Sequence, residues 1–152
     1  MGSIREEIRQ GRPFEHAEEE ALVTIARTAD VLHCAMERLF KPWGISSEQY
    51  NILRILRGAP HPTLEVKFRM ISHGAHITRL IDKLAEKKLV RRERAADRRV
   101  VLVHITTEGL RLLKEVGPQL NKAQKQIMGK VDPANIEAMI ETLDAIRKAA
   151  AG

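Results

Sequence analysis

Seven positively charged side chains lie within thirteen consecutive residues near the middle of the chain. They are Lys87, Lys88, Arg91, Arg92, Arg94, Arg98 and Arg99. Guanidinium and ammonium groups pair with phosphate oxygens, and a guanidinium can also form two parallel hydrogen bonds to the edge of a guanine. A solvated charged face is the plainer interpretation. The elements on either side of the stretch nevertheless favour contact with nucleic acid.

A short amphipathic helix is predicted immediately before this basic stretch. Its apolar face, at helical spacing, consists of Ile77, Leu80, Ile81 and Leu84, and its polar face carries His76, Arg79 and Lys83. After the helix, Leu89-Val90 is extended, residues 95–98 form a turn, and the β-branched run 100–105 returns. A helix followed by a basic hairpin can place one element in a DNA major groove and the other on the flanking backbone or minor groove.

Composition supports a folded chain with an anionic partner. The 152 residues are 43% hydrophobic and 30% charged, and the formal net charge is +6. Residues 60–110 hold eleven Lys/Arg against six Asp/Glu, so most of the excess charge lies there. The single Cys34 excludes an intrachain disulfide. With no apolar run at the N-terminus or of membrane-spanning length, we expect a cytoplasmic protein without a membrane partner.

The N-terminal half is predicted to be helical. A helical turn or two is expected within residues 4–10, and a long amphipathic helix over residues 15–41 ends at Pro42 and Gly44. Ser46 and Gln49 form a predicted capping box at the start of the next helix. Thr63 is expected to cap a short helix over residues 64–70.

The C-terminal third is predicted to hold two further helices. Thr106 is expected to cap the first, and Gly117-Pro118 to kink or interrupt it. Asp132-Pro133 is a typical start for the second. The predicted fold class is mainly α with a small β-hairpin wing, that is, an α+β winged helix-turn-helix with N- and C-terminal dimerisation helices.

Three regions are expected. Residues 1–44 contribute an N-terminal helix to a dimerisation region, residues 45–108 form the winged helix-turn-helix DNA-binding domain, and residues 109–152 complete the dimerisation region. A DNA-binding domain of this size is too small to cover the apolar faces of the flanking helices. Pairing of two identical chains would bury them, so a homodimer is predicted.

The chain resembles the MarR family of transcription regulators along almost its whole length. The resemblance lies in segments 47–56, 77–84 and 89–92, in the wing 97–103, and in Ile105-Thr106-Thr107-Glu108-Gly109. It implies a homodimer that binds double-stranded DNA at a pseudo-palindromic operator, most often as a repressor. It also implies release by a small, often phenolic, ligand or by oxidation.

The resemblance further assigns roles to single residues. Ala75, His76, Thr78 and Arg79 match the exposed start of the recognition helix. Arg98 and Arg99 match the wing, with Arg99 in the minor groove, and Asp97 matches an acid that braces the wing through a salt bridge. The predicted DNA-binding set is Ala75, His76, Thr78, Arg79, Lys83, Arg92, Arg94, Arg98 and Arg99. For Arg79, a base contact, a phosphate contact and an ion pair with Asp82 stay open.

Other chemistry is less favoured. Phe40, Trp43 and Tyr50 could line a pocket for a small aromatic effector, although ordinary core packing explains them as well. His73 and His76 have the spacing of a chelating pair without a third ligand, so neither a metal nor another cofactor is expected. Cys34 is expected to be a small, mostly buried helix residue rather than a redox sensor.

Catalysis is not expected, because the motifs of phosphate-binding loops, metalloproteases and hydrolases are absent from the sequence. The sequence therefore predicts a homodimeric, sequence-specific transcription regulator, with repression and release by a small ligand or stress signal as finer expectations. The alternative is an architectural or protein-interaction winged helix without a specific operator.

Overall fold

The structure is a computed structural model, and it describes residues 3–74 and 76–152. In chain order the elements are α1 (Ile4–Glu7), α2 (Ala17–Phe40), a 3-10 turn (Lys41–Trp43), α3 (Ser47–Leu56), β1 (His61–Pro62), α4 (Thr63–Arg69), α5 (Ile77–Glu86), β2 (Val90–Arg94), β3 (Val101–Ile105), α6 (Thr107–Met128) and α7 (Pro133–Ala150). The prediction of a mainly α fold with a small β wing is confirmed. None of the helices in the described ranges has both the length and the apolar character needed to cross a membrane.

The sheet has three antiparallel strands in the order β1-β3-β2, one more than the predicted hairpin. The extra strand pairs His61 with Val103 and Pro62 with Leu102. Proline lacks an N–H and is tolerated at a sheet edge, where no ladder bond is needed from it. The His61-Pro62 segment, which ends a helical stretch in the sequence, therefore also forms an edge strand of the sheet.

Local capping signals are mostly realised. Ser46 Oγ accepts from Gln49 N at 3.1 Å, and Gln49 Oε1 accepts from Ser46 N at 3.0 Å, so the predicted capping box is present. Asp132 Oδ1 accepts from Ala134 N at 3.0 Å, as predicted for the start of α7. The prediction for Thr63 is wrong: Pro62 occupies the cap position of α4, and Thr63 lies inside the helix.

Gly117-Pro118 was expected to kink or interrupt this helix; the interruption is wrong, because α6 runs from Thr107 to Met128 through both residues, and the kink stays a prediction. A proline removes one backbone hydrogen bond of a helix, and the bonds on either side of it carry the 22-residue helix across. Two compact units are present: the first ends at Leu113, and the second comprises Lys114–Gly152.

The core of the first unit lies beneath the helix-turn-helix. It is formed by Ile52, Leu53, Leu56, Val66, Met70, Ile77, Ile81, Leu84, Val90, Val103 and Leu113. Ile77, Ile81 and Leu84 come from one face of α5, with Leu80 packed at the margin, as the spacing predicts. Because this face is buried, the opposite face of α5 is held towards solvent.

Candidate nucleic-acid interface

The exposed face of α5 and the residue before it, the N-cap His76, carry four of the predicted DNA-binding side chains. His76, Thr78, Arg79 and Lys83 are all exposed, while Ala75 lies outside the described residues. An open groove of about 760 Å³ runs between this face and α4. It is lined by Thr63, Leu64, Lys67, His76, Ile77, Thr78, Arg79 and Asp82. The contribution of α4 to this surface was not predicted, because nothing in the 63–67 segment marks it as part of an interface.

The wing is fastened to α5 by an ion pair that sequence reasoning did not identify. Arg92 Nη2 on β2 lies 2.5 Å from Asp82 Oδ1 on α5. Asp82 was weighed as a partner for Arg79, but the hairpin brings Arg92 to it instead. Both side chains are part-exposed, so the pair contributes more to the orientation of the wing than to stability.

The turn of the wing is closed by its own side chains. Arg94 Nη1 donates to the carbonyl of Arg98 at 2.9 Å, and Asp97 Oδ1 accepts from the backbone N–H of Arg99 at 3.1 Å. Asp97 forms no ion pair with any described residue, so its observed contact is this backbone hydrogen bond rather than a salt bridge. The turn therefore presents the side chains of Arg98 and Arg99 at its tip.

Four residues of the predicted DNA-binding set have exposed charged side chains that are not paired with an acid in the described residues. Arg79, Lys83, Arg98 and Arg99 are exposed and make no ion pair within residues 3–74 and 76–152. Arg92 and Arg94, by contrast, are engaged within the protein. The predicted basic set thus divides into side chains that shape the surface and side chains free to meet phosphates or base edges.

The root of the wing is clamped by Thr106. Its backbone N–H donates to the carbonyl of Leu89 at 3.1 Å, and its hydroxyl donates to the carbonyl of Lys88 at 2.7 Å. The same hydroxyl accepts from Gly109 N at 3.1 Å, which is the predicted cap of α6. A Cβ on Gly109 would lie 2.4 Å from Leu89 O, so only glycine allows this approach.

A second charge cluster lies on the strands. A side-chain hydrogen bond from Arg91 and the charges of Arg91 and His104 hold the pKa of Glu93 below its ordinary value. His104 Nε2 lies 3.6 Å from Glu93 Oε2. His104 is half-buried, and it lies diagonally across the strand pair from Glu93, since its direct partner in the register is Arg91.

The three aromatic side chains proposed for an effector site pack locally. The rings of Phe40 and Tyr50 stack at a centroid distance of 4.7 Å, and Phe40 is buried. Trp43 is half-buried in the 3-10 turn. A different cavity, of about 330 Å³, lies between α2, α3 and the turn after α4, and we call it the α2–α3 cavity. Its lining is Ala29, Leu32, His33, Met36, Ser47, Glu48, Asn51, Met70, Ile71 and Ser72.

Cys34 corrects another expectation, since this residue is exposed on α2 rather than buried. It belongs to a helix in which only Phe40 is buried. In the part of the chain that the structure describes, no three His, Cys, Asp or Glu side chains are grouped closely enough to hold a metal ion.

Comparisons with known proteins agree with this geometry. A family model described as a winged helix DNA-binding domain matches residues 45–109. The MarR transcription factor from Planctomyces limnophilus is 31% identical, with 88% of this chain and 99% of that chain covered and a TM-score of 0.66. The transcriptional regulator BldR from Sulfolobus solfataricus is 28% identical, with coverage of 98% and 99% and a TM-score of 0.74.

A curated relative points the same way. The HTH-type transcriptional regulator PecS from Dickeya dadantii (strain 3937) is 27% identical over 135 residues, which are 84% of this chain and 81% of the relative. The similarity to these regulators extends over both compact units and is not confined to the winged helix.

Proposed function

This chain belongs to the MarR family of transcription regulators, and we propose that it acts as a homodimeric repressor of a pseudo-palindromic operator. It is a winged-helix DNA-binding regulator and not an enzyme. The observation that carries the proposal is the exposed basic surface of α5 and the wing. On that surface, Arg79, Lys83, Arg98 and Arg99 have no ion-pair partner within the described ranges.

The start of α5 would read base edges in the major groove. His76, Thr78 and Arg79 project from its exposed end, and Ala75 completes the set predicted from sequence. An arginine paired bidentately with guanine discriminates against the wrong base by about 1–3 kcal/mol. Lys83, one turn further along α5, would contact phosphate.

The wing would read groove shape. A narrow minor groove has an enhanced negative potential that attracts arginine, and Arg98 and Arg99 lie at the tip of the wing. The Arg92–Asp82 ion pair and the Arg94–Arg98 hydrogen bond would set the angle at which that tip leaves α5. Arg94 still adds positive charge to the surface that meets the DNA backbone, because its acceptor is a neutral carbonyl, whereas Asp82 offsets the charge of Arg92.

A second copy of the chain would complete the molecule. In the first unit, α2 exposes Leu22, Val31 and Leu32. In the second unit, α7 exposes Met139 and Ile140. Exposed apolar stripes of this kind mark surfaces that are covered in an assembly, and closed two-fold pairing is the commonest solution. Half-sites would then lie about one helical turn, roughly 10 bp, apart.

The proposal is tested by footprinting on fragments of the native genome, because the operator is selected there rather than assumed. A protected site with two-fold symmetry, bound by a species of twice the chain mass, supports a specific homodimeric regulator. Uniform protection of any duplex would instead support the architectural alternative. Transcription from the bound promoter in the presence and absence of the protein then separates repression from activation.

Replacement of Arg99 by alanine tests the wing. We expect Arg99→Ala to weaken operator binding roughly tenfold. We also expect the slope of log affinity against log salt to fall by about 0.9. Arg12→Ala is the matched control, since it removes the same charge from the exposed N-terminal segment. Equal affinity of the Arg99→Ala and unmodified proteins would remove Arg99 from the interface.

Release by a small ligand is the finer part of the proposal. The α2–α3 cavity, with its volume of about 330 Å³, supports it, because small-molecule sites in proteins span about 300–1,000 Å³. The predicted trio of Phe40, Trp43 and Tyr50 stays a prediction, since none of the three lines that cavity.

A further inference from the structure

Asn51 is the unusual member of the α2–α3 cavity. It is only 4% exposed, in a helix whose other buried residues are mostly apolar. Its Oδ1 accepts from the backbone N–H of Ile71 at 2.9 Å, twenty residues further along the chain. That bond assigns the oxygen and the nitrogen of the Asn51 amide, because in the flipped orientation the NH₂ group would face the N–H of Ile71, and both are donors.

The other end of the same amide has no partner. Asn51 Nδ2 is buried and forms no hydrogen bond with any of residues 3–74 and 76–152. Buried polar groups in proteins are almost always paired, so an unpaired amide beside a cavity needs an explanation. A hydrogen-bond acceptor brought by a bound molecule would supply the missing partner.

The remaining lining limits what that molecule can be. Leu32, Met36, Met70 and Ile71 supply apolar walls, which suit a flat hydrocarbon ring. Glu48 is the carboxylate among the lining residues, and none of them is lysine or arginine. A carboxylate ligand would therefore meet a like charge without a lysine or arginine to offset it.

We infer that the α2–α3 cavity binds a small, neutral, planar molecule whose carbonyl-type oxygen accepts a hydrogen bond from Asn51 Nδ2. Met36 and Met70 are unbranched and adapt readily, so they can move aside as the acceptor reaches the buried amide. His33 Nδ1 and Ser47 Oγ, 3.4 Å apart, provide a second polar contact on the lining.

Asn51 also links the cavity to the DNA-binding surface. Through Oδ1 it holds Ile71, in the short segment that connects α4 to the start of α5 at Ile77. A ligand that binds one arrangement of this segment better than another changes DNA affinity, and DNA changes ligand affinity by the same factor. This effect on DNA binding rests on the proposed repressor function, whereas occupancy of the cavity does not.

The test uses the uniformly ¹⁵N-labelled full chain and three probes of similar size: benzamide, benzoate and ethylbenzene. Benzamide is expected to shift the side-chain NH₂ resonances of Asn51 and the backbone amide of Ile71 in a saturable manner. Benzoate is expected to bind at least tenfold more weakly, because of Glu48. Ethylbenzene, which lacks an acceptor, is expected to move these resonances only through its ring current, without the downfield shift of the Asn51 NH₂ protons that a hydrogen bond to benzamide produces.

Three variants separate the parts of the site. Asn51→Asp keeps an acceptor for Ile71 but removes the donor, so benzamide affinity is expected to fall roughly tenfold. Glu48→Gln is expected to raise benzoate affinity towards that of benzamide. Ala29→Leu adds bulk to the wall from an exposed helix position and is expected to block benzamide without disturbing Asn51.

The outcomes are distinguishable. Absence of any benzamide-dependent shift at Asn51 at millimolar concentration, or an unchanged benzamide affinity in Ala29→Leu, would overturn the site. Saturable shifts at Asn51 with no shift at Ile71 would overturn the link to the DNA-binding surface. Failure of the unliganded protein to footprint any operator would count against the proposed function alone, because the resonance shifts are measured without DNA.

Discussion

Two helices of this chain show how differently its regions use apolar residues. The ten-residue α3 buries Gln49, Asn51, Ile52, Leu53 and Leu56, whereas none of the eighteen residues of α7, all of them described, is buried. α2 is intermediate, with Phe40 alone buried among 24 residues. The winged helix therefore completes its own core within one chain, while the flanking helices keep their apolar stripes exposed.

The difference has an energetic consequence. A helix in water gains most of its stability from packing one face against something else. The apolar face of α3 is buried within the same chain, so the stability of α3 is expected to be independent of protein concentration. In the proposed homodimer a second copy would cover the exposed apolar faces of α2 and α7, so the order of these helices is expected to depend on association.

The largest expected effect contrasts a buried leucine with an exposed one. Leu53 is fully buried, and Leu53→Ala is expected to lower the free energy of unfolding by about 2–5 kcal/mol at every protein concentration. Leu22 on α2 is 57% exposed, and Leu22→Ala is expected to cost less than about 0.5 kcal/mol in the dilute chain. Urea denaturation over a concentration series measures both, and a concentration-independent cost for Leu22→Ala would break the comparison.

A charge on the bare face of α7 tests the association directly. Ile140 is 55% exposed, and Ile140→Lys is expected to weaken the dimer roughly 30-fold, as loss of one central apolar contact does. Analytical ultracentrifugation gives the dissociation constant. Glu141→Gln, which changes the net charge by the same +1 at the next exposed position, is the matched control. Equal dissociation constants for the two variants would place the interface elsewhere.

Helix caps offer a smaller, paired test. Ser46→Ala removes the cap of α3 and is expected to cost about 1 kcal/mol. Asp132→Ala removes the cap of α7, and in the dilute chain it is expected to leave the unfolding of the first unit unchanged. Trp43, the single tryptophan, lies in the first unit and reports its unfolding by fluorescence. A similar cost for both substitutions would show that the two regions unfold together.

The smallest effect concerns pH at the wing. Arg91 and His104 lower the pKa of Glu93 in the folded protein below its ordinary value of 4.5. The charged carboxylate therefore stabilises the hairpin at pH values above 4.5. This stabilisation is expected to fade as the pH falls below 4.5 and Glu93 takes up a proton. Amide exchange in β2 and β3 measures it, Glu93→Gln should remove the pH dependence, and Glu86→Gln should not.

Features decided by near neighbours could be predicted from the sequence. The Ser46–Gln49 capping box and the buried face of α5 depend on residues three or four apart, so the local pattern contains all the partners. Thr63 shows the limit of this logic. Threonine is a good cap residue, but Pro62 occupies the cap position of α4 because Pro62 is paired with β3 in β1 and the helix begins directly after it.

Features that depend on distant partners could not be predicted. Arg92 was assigned to DNA, and its contact with Asp82 appears only when the hairpin folds back on α5. The tether between Asn51 and Ile71 spans twenty residues and has no local signal except one polar residue in the run Tyr50-Asn51-Ile52-Leu53. That polar residue in an apolar run was the one clue to the α2–α3 cavity.

The clamp at Thr106 bears on how binding specificity can diversify. Since Lys88, Leu89 and Gly109 are all fixed at the root of the wing, the tip at residues 95–99 can change in length or composition without disturbing the helices. Mutational drift at the tip would then be decoupled from the folding of the domain. The tip of the wing can therefore be exchanged as a unit, either among related chains or by protein engineering, to change which DNA groove sequences it binds.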